Sequence, residues 1–518
     1  MRFSEIVQAS NQVAAVSGRL EKIERLASVL QRLAPDDIEI AIAFLSGSLR
    51  QGRVGIGPAV IWQANEIAPA ESPSLELRDV DAAFERIAGV GGAGATAERR
   101  RLLRELTAHA TREEQDFLAR LLFGELRQGA QEGVVVEAVA RASGVTSDLI
   151  RRAAMMTGDL GSVARAAILE GESSLSRYVV QIFRPVQPML ADSATDVDAA
   201  LGALGEASLE YKIDGARIQV HKSGGEVRIY SRTTRDVTRV APEIAQVVRA
   251  LPARELILDG EVIALRHDGT PHPFQVTMSR FGRKLDVDRF GAELPLSAFF
   301  FDCLLVDGRP LIDEPQSDRF GALVDLAPSD IVIPYIVAAR PDQAVDFLND
   351  ALRHGHEGLM AKARAAGYAA GRRGKSWLKI KVARTLDLVV LAAEWGHGRR
   401  RGWLSNLHLG ARDPDRHSFV MLGKTFKGLT DEMLAWQTAR LLELEIGRDD
   451  DTVYVRPELV VEVAFNEVQV SPQYPGGVVL RFARVKRYRT DKTAGEADTI
   501  ETVRGSGIGV RDSGFGIR

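Results

Sequence analysis

The apolar residues of this chain change their period once, and that change constrains the fold more than any single motif. From Phe3 to about Val180, apolar side chains recur at helical spacing, as in Leu20, Ile23, Leu26, Leu30 and Leu33. After the segment RPVQPMLAD (Arg184 to Asp192), whose prolines mark a linker, strand patterns take over. A helical third followed by a β-rich remainder implies separate domains, and 518 residues are long enough for three. A composition of 45% hydrophobic and 26% charged residues supplies enough apolar material for several cores.

The helical third contains an internal duplication. FLSGSLRQGRVGIGPAVI, from Phe44, resembles LLFGELRQGAQEGVVVEA, from Leu121, with Gly47 matching Gly124. Each copy is expected to end a helix in Leu-Arg-Gln-Gly and then run through glycines into a new apolar segment. Taken singly, such glycines read as helix C-caps. As a pair they suggest two similar turns with exposed backbone N–H groups, suited to a partner with regularly spaced phosphates.

In the remainder, Ala216 to Lys222 and Glu226 to Arg232 alternate around Gly224-Gly225 and predict a hairpin. Further strands are expected at Leu256 to Leu265 and Ser297 to Val306. Beyond Lys381 to Arg384, DLVVLAAEW and VVEVAFNEVQV suggest a smaller β domain, for which a five-stranded barrel is the expectation. The single cysteine, Cys303, has apolar neighbours; it excludes an internal disulfide or a Cys-built zinc site and reads as a buried thiol. With no N-terminal apolar run of signal length and no membrane-length apolar stretch, the expectation is a soluble, cytoplasmic protein. The net charge of −3 means that any nucleic-acid contact must come from local basic clusters.

Two such clusters exist. Lys362 to Arg384 carries Lys362, Arg364, Arg372, Arg373, Lys375, Lys379, Lys381 and Arg384 and no acid, so it needs an anionic partner. RFARVKRYRTDK, Arg481 to Lys492, has six basic residues against one acid. Upstream, LEYKIDGAR places Lys212 at a strand end before Asp-Gly. A lysine of ordinary pKa near 10.4 is almost wholly protonated at neutral pH, so a nucleophilic role for Lys212 needs activation. Partial burial and the nearby cations Lys379 and Lys381, alternating on SWLKIKV, are expected to favour its neutral amine.

The ordered set EYKIDGAR, SRTTRDVT, LDGEVIAL, FFFDCLLVDG, HEGLMAK, SWLKIKV and RFARVKRYRTDK resembles the covalent nucleotidyltransferases, specifically ATP-dependent DNA ligases of archaeal and eukaryal type. The resemblance covers nearly the whole chain. It implies an all-α DNA-binding domain over 1–183, an α+β, ATP-grasp-like nucleotidyltransferase domain over 184–383 and an OB-fold β-barrel over 384–518. Abundant Ala, Arg and Gly and the compact three-domain plan suggest a prokaryotic chain, and the resemblance implies a nucleoid-associated enzyme, monomeric and serving replication, repair or recombination. The implied chemistry is the sealing of nicked double-stranded DNA with ATP as substrate and Mg2+ or Mn2+ as metal.

By the same resemblance, Lys212 accepts AMP as a phosphoramidate and Glu210 hydrogen-bonds the adenine. Arg217 and Arg232 hold ribose and phosphate. Glu261 and Glu357 support the metal and ribose, and Phe301 stacks on the base, although Phe299 faces the same side of its strand. Arg373, Lys379 and Lys381 meet the nucleotide phosphates. Ala483 stands where many relatives have proline, and Val485 and Lys486 replace a more apolar pair, which leaves individual roles in the last motif open. RNA ligases and capping guanylyltransferases share the lysine motif but lack the duplicated helical domain. A duplex-binding protein on a dead scaffold would not retain Lys212, Glu261, Glu357, Lys379 and Lys381 together.

Overall fold

The computed structural model describes the chain apart from residues 53, 93, 127, 131, 282–292, 370–372, 382–383 and 507–518, and apart from the side chain of Arg373. From Phe3–Ala14 to Leu160–Glu170 the chain is helical. Phe3, Phe44, Phe84 and Phe117 form an edge-to-face aromatic chain at centroid spacings of 6.1, 6.2 and 5.6 Å through the middle of one core. These rings sit on four helices, so one apolar cluster binds both halves of the duplication.

The helices that open the two copies, Ile38–Leu45 and Arg112–Phe123, stop before Leu-Arg-Gln-Gly and not within it. The reason is local: Gly47 and Gly124 adopt φ of 76° and 72°, a left-handed conformation that ends a helix and suits glycine. Leu49 to Gly52, and Leu126, Gln128 and Gly129 of the second copy, therefore lie in the turns, while Arg127 lies outside the described residues. New helices begin at Pro58 and Glu132.

The central region holds two five-stranded sheets. One runs in the order Leu190–Ala194, Arg373–Lys381, Gly358–Ala363, Ala207–Tyr211, Tyr335–Ala338. The other runs Glu226–Ser231, Ala216–Ser223, Glu255–Ala264, Leu296–Val306, Arg309–Pro310 and contains the expected hairpin, with Gly224 at φ 57°. Cys303 is wholly buried in the core between them, and burial pushes its thiol up to about 12.

The last region differs from a plain five-stranded barrel: its main sheet has seven strands among the described residues, with a separate two-stranded ribbon, Glu467–Val470 and Val478–Arg481. The extra strands are accommodated by Arg384–Trp395. Its 12 residues are long enough to pair with Leu404–Asp413, with register shifts near Val390 and Glu394, and also with Thr452–Val455 and Val460–Phe465. Among the described residues no helix is long and apolar enough to cross a membrane.

The helical region is also docked. Met155 and Met156 enter a second apolar cluster with Val186 and Met189 of the connecting segment and Ile257, Leu304, Ile312, Tyr368 and Trp377 of the central region. Arg152 adds a bidentate pair to Asp313 at 2.7 and 2.6 Å. The connecting segment is fixed by Phe183 N–H donating to His221 Nδ1 and Val186 N–H donating to Gln219 Oε1. Burial lowers His221 to about 3, so its ring is neutral and Nδ1 can accept.

Candidate functional site

A cleft of about 1480 Å3 opens between the two central sheets and the C-terminal region, and Lys212 lies on its wall. Lys212 directly follows the strand Ala207–Tyr211. Its N–H donates to the Gly358 carbonyl at 2.9 Å, and Glu357 N–H donates to the Lys212 carbonyl at 3.2 Å. Two backbone bonds thus hold lysine and glutamate side by side. The approach needs glycine: a Cβ on Gly358, at φ 144°, would lie 2.1 Å from the Ile380 carbonyl oxygen. Gly215 meets the same limit, since its Cβ would stand 2.2 Å from Val262 O.

The Lys212 ammonium reaches Glu357 Oε2 at 2.5 Å, and Lys381 Nζ reaches the same oxygen at 2.7 Å. Burial pulls Lys212 down, but the charge and hydrogen bond of Glu357 outweigh it and hold the lysine above its ordinary range. The expectation of a neutral amine is therefore reversed, because a contacting carboxylate acts more strongly than a neighbouring ammonium. Lys381 is lowered, first by burial and then by Lys212. Glu357 is lowered: burial opposes ionisation, but the two lysines prevail.

Glu261 and Asp214 complete the acidic side of this wall. Burial raises Glu261 to about 7 despite Lys212 and Arg217, and its side chain has no hydrogen-bond partner among the described residues. Asp214 is raised by burial and by Glu357. No group of three or more His, Cys, Asp or Glu side chains is placed to hold a metal among the described residues. A hard cation that takes its remaining oxygens from phosphate and water needs only one or two carboxylates. The unpartnered Glu261 fits that requirement, and Glu357 fits through Oε1, since both lysines occupy Oε2.

The inner end of the cleft is aromatic. Strand alternation places Trp377, Lys379 and Lys381 on one face, and all three line the cleft. Phe301 joins them; Phe299 packs in the core and does not line the cleft, which decides the register between the two. Lys362 pairs with Glu210 at 2.7 Å, both almost fully buried, and its ammonium sits 4.5 Å from the Phe301 ring centre and 4.3 Å from that of Trp377. Burial raises Glu210 to about 7, while Lys362 pulls it the other way, and Glu210 Oε1 has no partner. An unpaired buried acceptor beside aromatic rings suits a planar base carrying an N–H donor.

Arg217 lines the cleft but is committed elsewhere. It makes a bidentate pair with Asp259 at 3.0 and 2.7 Å and donates to Met189 O at 2.6 Å. Arg232 is exposed at the rim, and Lys379 lies further along the same wall as Lys381. The side chain of Arg373 lies outside the described residues. Trp377 and Asp214 were not singled out by sequence, and Lys362 was named only among the basic residues of its segment, not as the partner of Glu210. The two-residue alternation around Lys379, and the position of Lys362 at the end of HEGLMAK, were the available signals.

The C-terminal region closes the cleft with Lys427, Asn466, Arg481, Phe482, Arg484 and Lys486. Arg481 donates to Asp214 at 3.2 Å and lies 4.3 Å over the Phe274 ring. Arg489 and Lys492 do not enter the cleft; both hold Asp387 Oδ2, at 2.8 and 2.6 Å.

Residues 188–381 match the family model described as ATP dependent DNA ligase domain, 400–492 that of the ATP dependent DNA ligase C terminal region, and 62–140 that of the DNA ligase N terminus. A "Probable DNA ligase" of Anaeromyxobacter sp. (strain Fw109-5) is 58% identical over 97% of this chain and 98% of its own length. That of Sorangium cellulosum (strain So ce56) is 57% identical over 97% of this chain and 95% of its own. Among solved structures, "Pmar-Lig_Pre." shares the fold, with a TM-score of 0.62 at 19% identity, over 94% of this chain and 99% of that one.

Proposed function

The chain belongs to the ATP-dependent DNA ligases, and from that premise we propose how its residues divide the work of sealing a nick through an enzyme adenylate. ATP and DNA are its substrates. Lys212 is the nucleophile: its Nζ, once deprotonated, attacks the α-phosphorus, the new N–P bond replaces the bond to pyrophosphate, and AMP remains on the enzyme. Lys379 and Lys381, on the same wall, take up charge on the departing pyrophosphate.

Glu210 reads the adenine amino group, with Phe301 and Trp377 flanking the ring. Arg217 acts mainly by fixing the strand and connecting segment around the cleft, since its guanidinium is taken by Asp259 and Met189. Arg232 at the rim, and Arg373, are assigned to the sugar and phosphates by their place in the motifs. A divalent cation held by Glu261 and Glu357 would supply positive charge at the phosphates and favour the neutral lysine.

In the later steps the 5′-phosphate at the nick accepts AMP, and the adjacent 3′-hydroxyl displaces it to form the phosphodiester. We assign nicked duplex as the DNA substrate, gripped by the helical region over 1–183, with 184–383 carrying the nucleotide and 384–518 closing over it. The observation that carries the reading is the placement of Lys212 between a cation-lined wall and an aromatic slot with a free buried acceptor.

The test is incubation with α-labelled ATP and magnesium, denaturing electrophoresis, then addition of nicked duplex. A labelled band that the duplex discharges, absent in Lys212→Ala, is expected. Normal labelling of Lys212→Ala would remove Lys212 from its assigned role.

A further inference from the structure

The two glycine turns of the helical region differ from ordinary helix caps in what is packed behind them. At the second turn, Lys22 of the helix Arg19–Leu30 is only 8% exposed, and its ammonium donates to the Gln128 carbonyl at 2.7 Å. It lies so close to the turn that a Cβ on Gly129, at φ 63°, would stand 2.6 Å from Nζ. Gln128 is itself fixed, accepting from Ser10 Oγ at 2.7 Å and donating to Leu45 O at 2.5 Å.

Near the first turn, Arg99 of the helix Ala95–Ala108 is half-buried and reaches Gly55, three residues beyond Gly52, the glycine that matches Gly129. A Cβ on Gly55, at φ 70°, would lie 2.8 Å from Nη1; Nη2 donates to Val90 O at 2.6 Å, and Nε is buried with no partner among the described residues. In both copies, therefore, a cation from a distant helix reaches a glycine, Gly129 within the second turn and Gly55 just beyond the first, where no side chain stands in its way.

Neither cation pairs with a carboxylate among the described residues; each is held by a backbone carbonyl. Buried cations of the central region are placed beside acids: Arg217 with Asp259, Arg319 with Asp302, Lys362 with Glu210. A neutral carbonyl offsets only part of the cost of taking a cation out of water, so the two turns carry positive charge that an anion would complete.

We propose that Lys22 and Arg99 are a matched pair of phosphate-seating cations, one behind each turn, and that the anion is the phosphodiester backbone of duplex DNA. The proposal rests on the reading of the helical region as the duplex-binding part. The glycines let each cation come up to its turn, and the charge there acts through a medium of lower dielectric than water.

The experiment measures binding of the full chain to a nicked duplex by fluorescence anisotropy in EDTA, over a series of salt concentrations, for the wild type, Lys22→Met, Arg99→Met and Lys22→Arg. Loss of one phosphate contact lowers the magnitude of the slope of log affinity against log salt by about 0.9, so a fourfold rise in salt weakens each Met variant about 3.5-fold less than the wild type. Lys22→Arg, which keeps the charge, is expected to keep the wild-type slope. An unchanged slope in either Met variant, or an equal fall in Lys22→Arg, overturns the proposal. A wild type whose binding is insensitive to salt overturns the underlying reading of the helical region instead.

Discussion

Glu261, the carboxylate assigned above to the divalent cation, is buried at a cost to the stability of the protein. Its folded pKa of about 7 is raised above its ordinary value of 4.5, chiefly by burial, so the folded state holds the proton more tightly than the unfolded chain. The associated stability is fully present below pH 4.5 and is lost as pH rises through 7. At about 1.4 kcal/mol per pH decade, the interval between those values amounts to about 3 kcal/mol above pH 7. Glu261→Gln removes the charge with little change of shape. At pH 8 the variant should therefore be more stable by about 3 kcal/mol, and at pH 5 by only about 1 kcal/mol. For a domain of this size the pH 8 gain corresponds to roughly 6–12 °C in the transition of the part that carries Glu261. The assay is differential scanning calorimetry of both proteins from pH 5 to 8.5, in EDTA and without nucleotide. Covalent labelling by ATP should fall in the same variant, which separates the stability cost of the carboxylate from its use. A variant no more stable than the parent at pH 8, or a gain that does not depend on pH, would refute the reasoning.

Other perturbations follow from the same geometry. Glu357→Gln removes the charge that holds Lys212 high, so the Lys212 amine should react faster with an acylating reagent at fixed pH, read by peptide mass mapping in EDTA; an unchanged rate would count against the pair. Arg217→Met leaves Asp259 buried without its partner and should cost about 3–5 kcal/mol in urea unfolding, with partial recovery in Arg217→Met/Asp259→Leu. Met156→Ala opens the cluster that docks the helical region and should cost about 2–5 kcal/mol, seen as faster proteolysis between Arg177 and Met189. Gly358→Ala forces a side chain against Ile380 O at a left-handed φ. It should cost at least the roughly 1–3 kcal/mol of backbone strain and lower adenylation; normal activity would contradict the close approach of Glu357 to Lys212.

The change of apolar period, the duplication and the motif order were legible in the linear chain because they rest on local spacing. Period alone separates helix from strand, Gly224-Gly225 closes a hairpin wherever it occurs, and the residues around Lys212 follow one another directly. The ends of the duplicated helices were misread because helix termination there depends on the conformation of Gly47 and Gly124, and Leu-Arg-Gln-Gly is compatible with either helix or turn. Charge state was not legible at all. Whether Lys212 is an amine or an ammonium depends on which partner touches it. Glu357 lies far along the chain and meets Lys212 only because Gly358 lets two strands close together. Likewise Arg217 carries its motif's identity, but the fold commits it to Asp259, and Lys22 became informative only when the fold set it behind Gly129. Sequence determined which chemical groups are available and on which elements they ride. Tertiary structure decided which of them are paired, because electrostatic energy depends on distance and burial, and neither is a property of position in the chain.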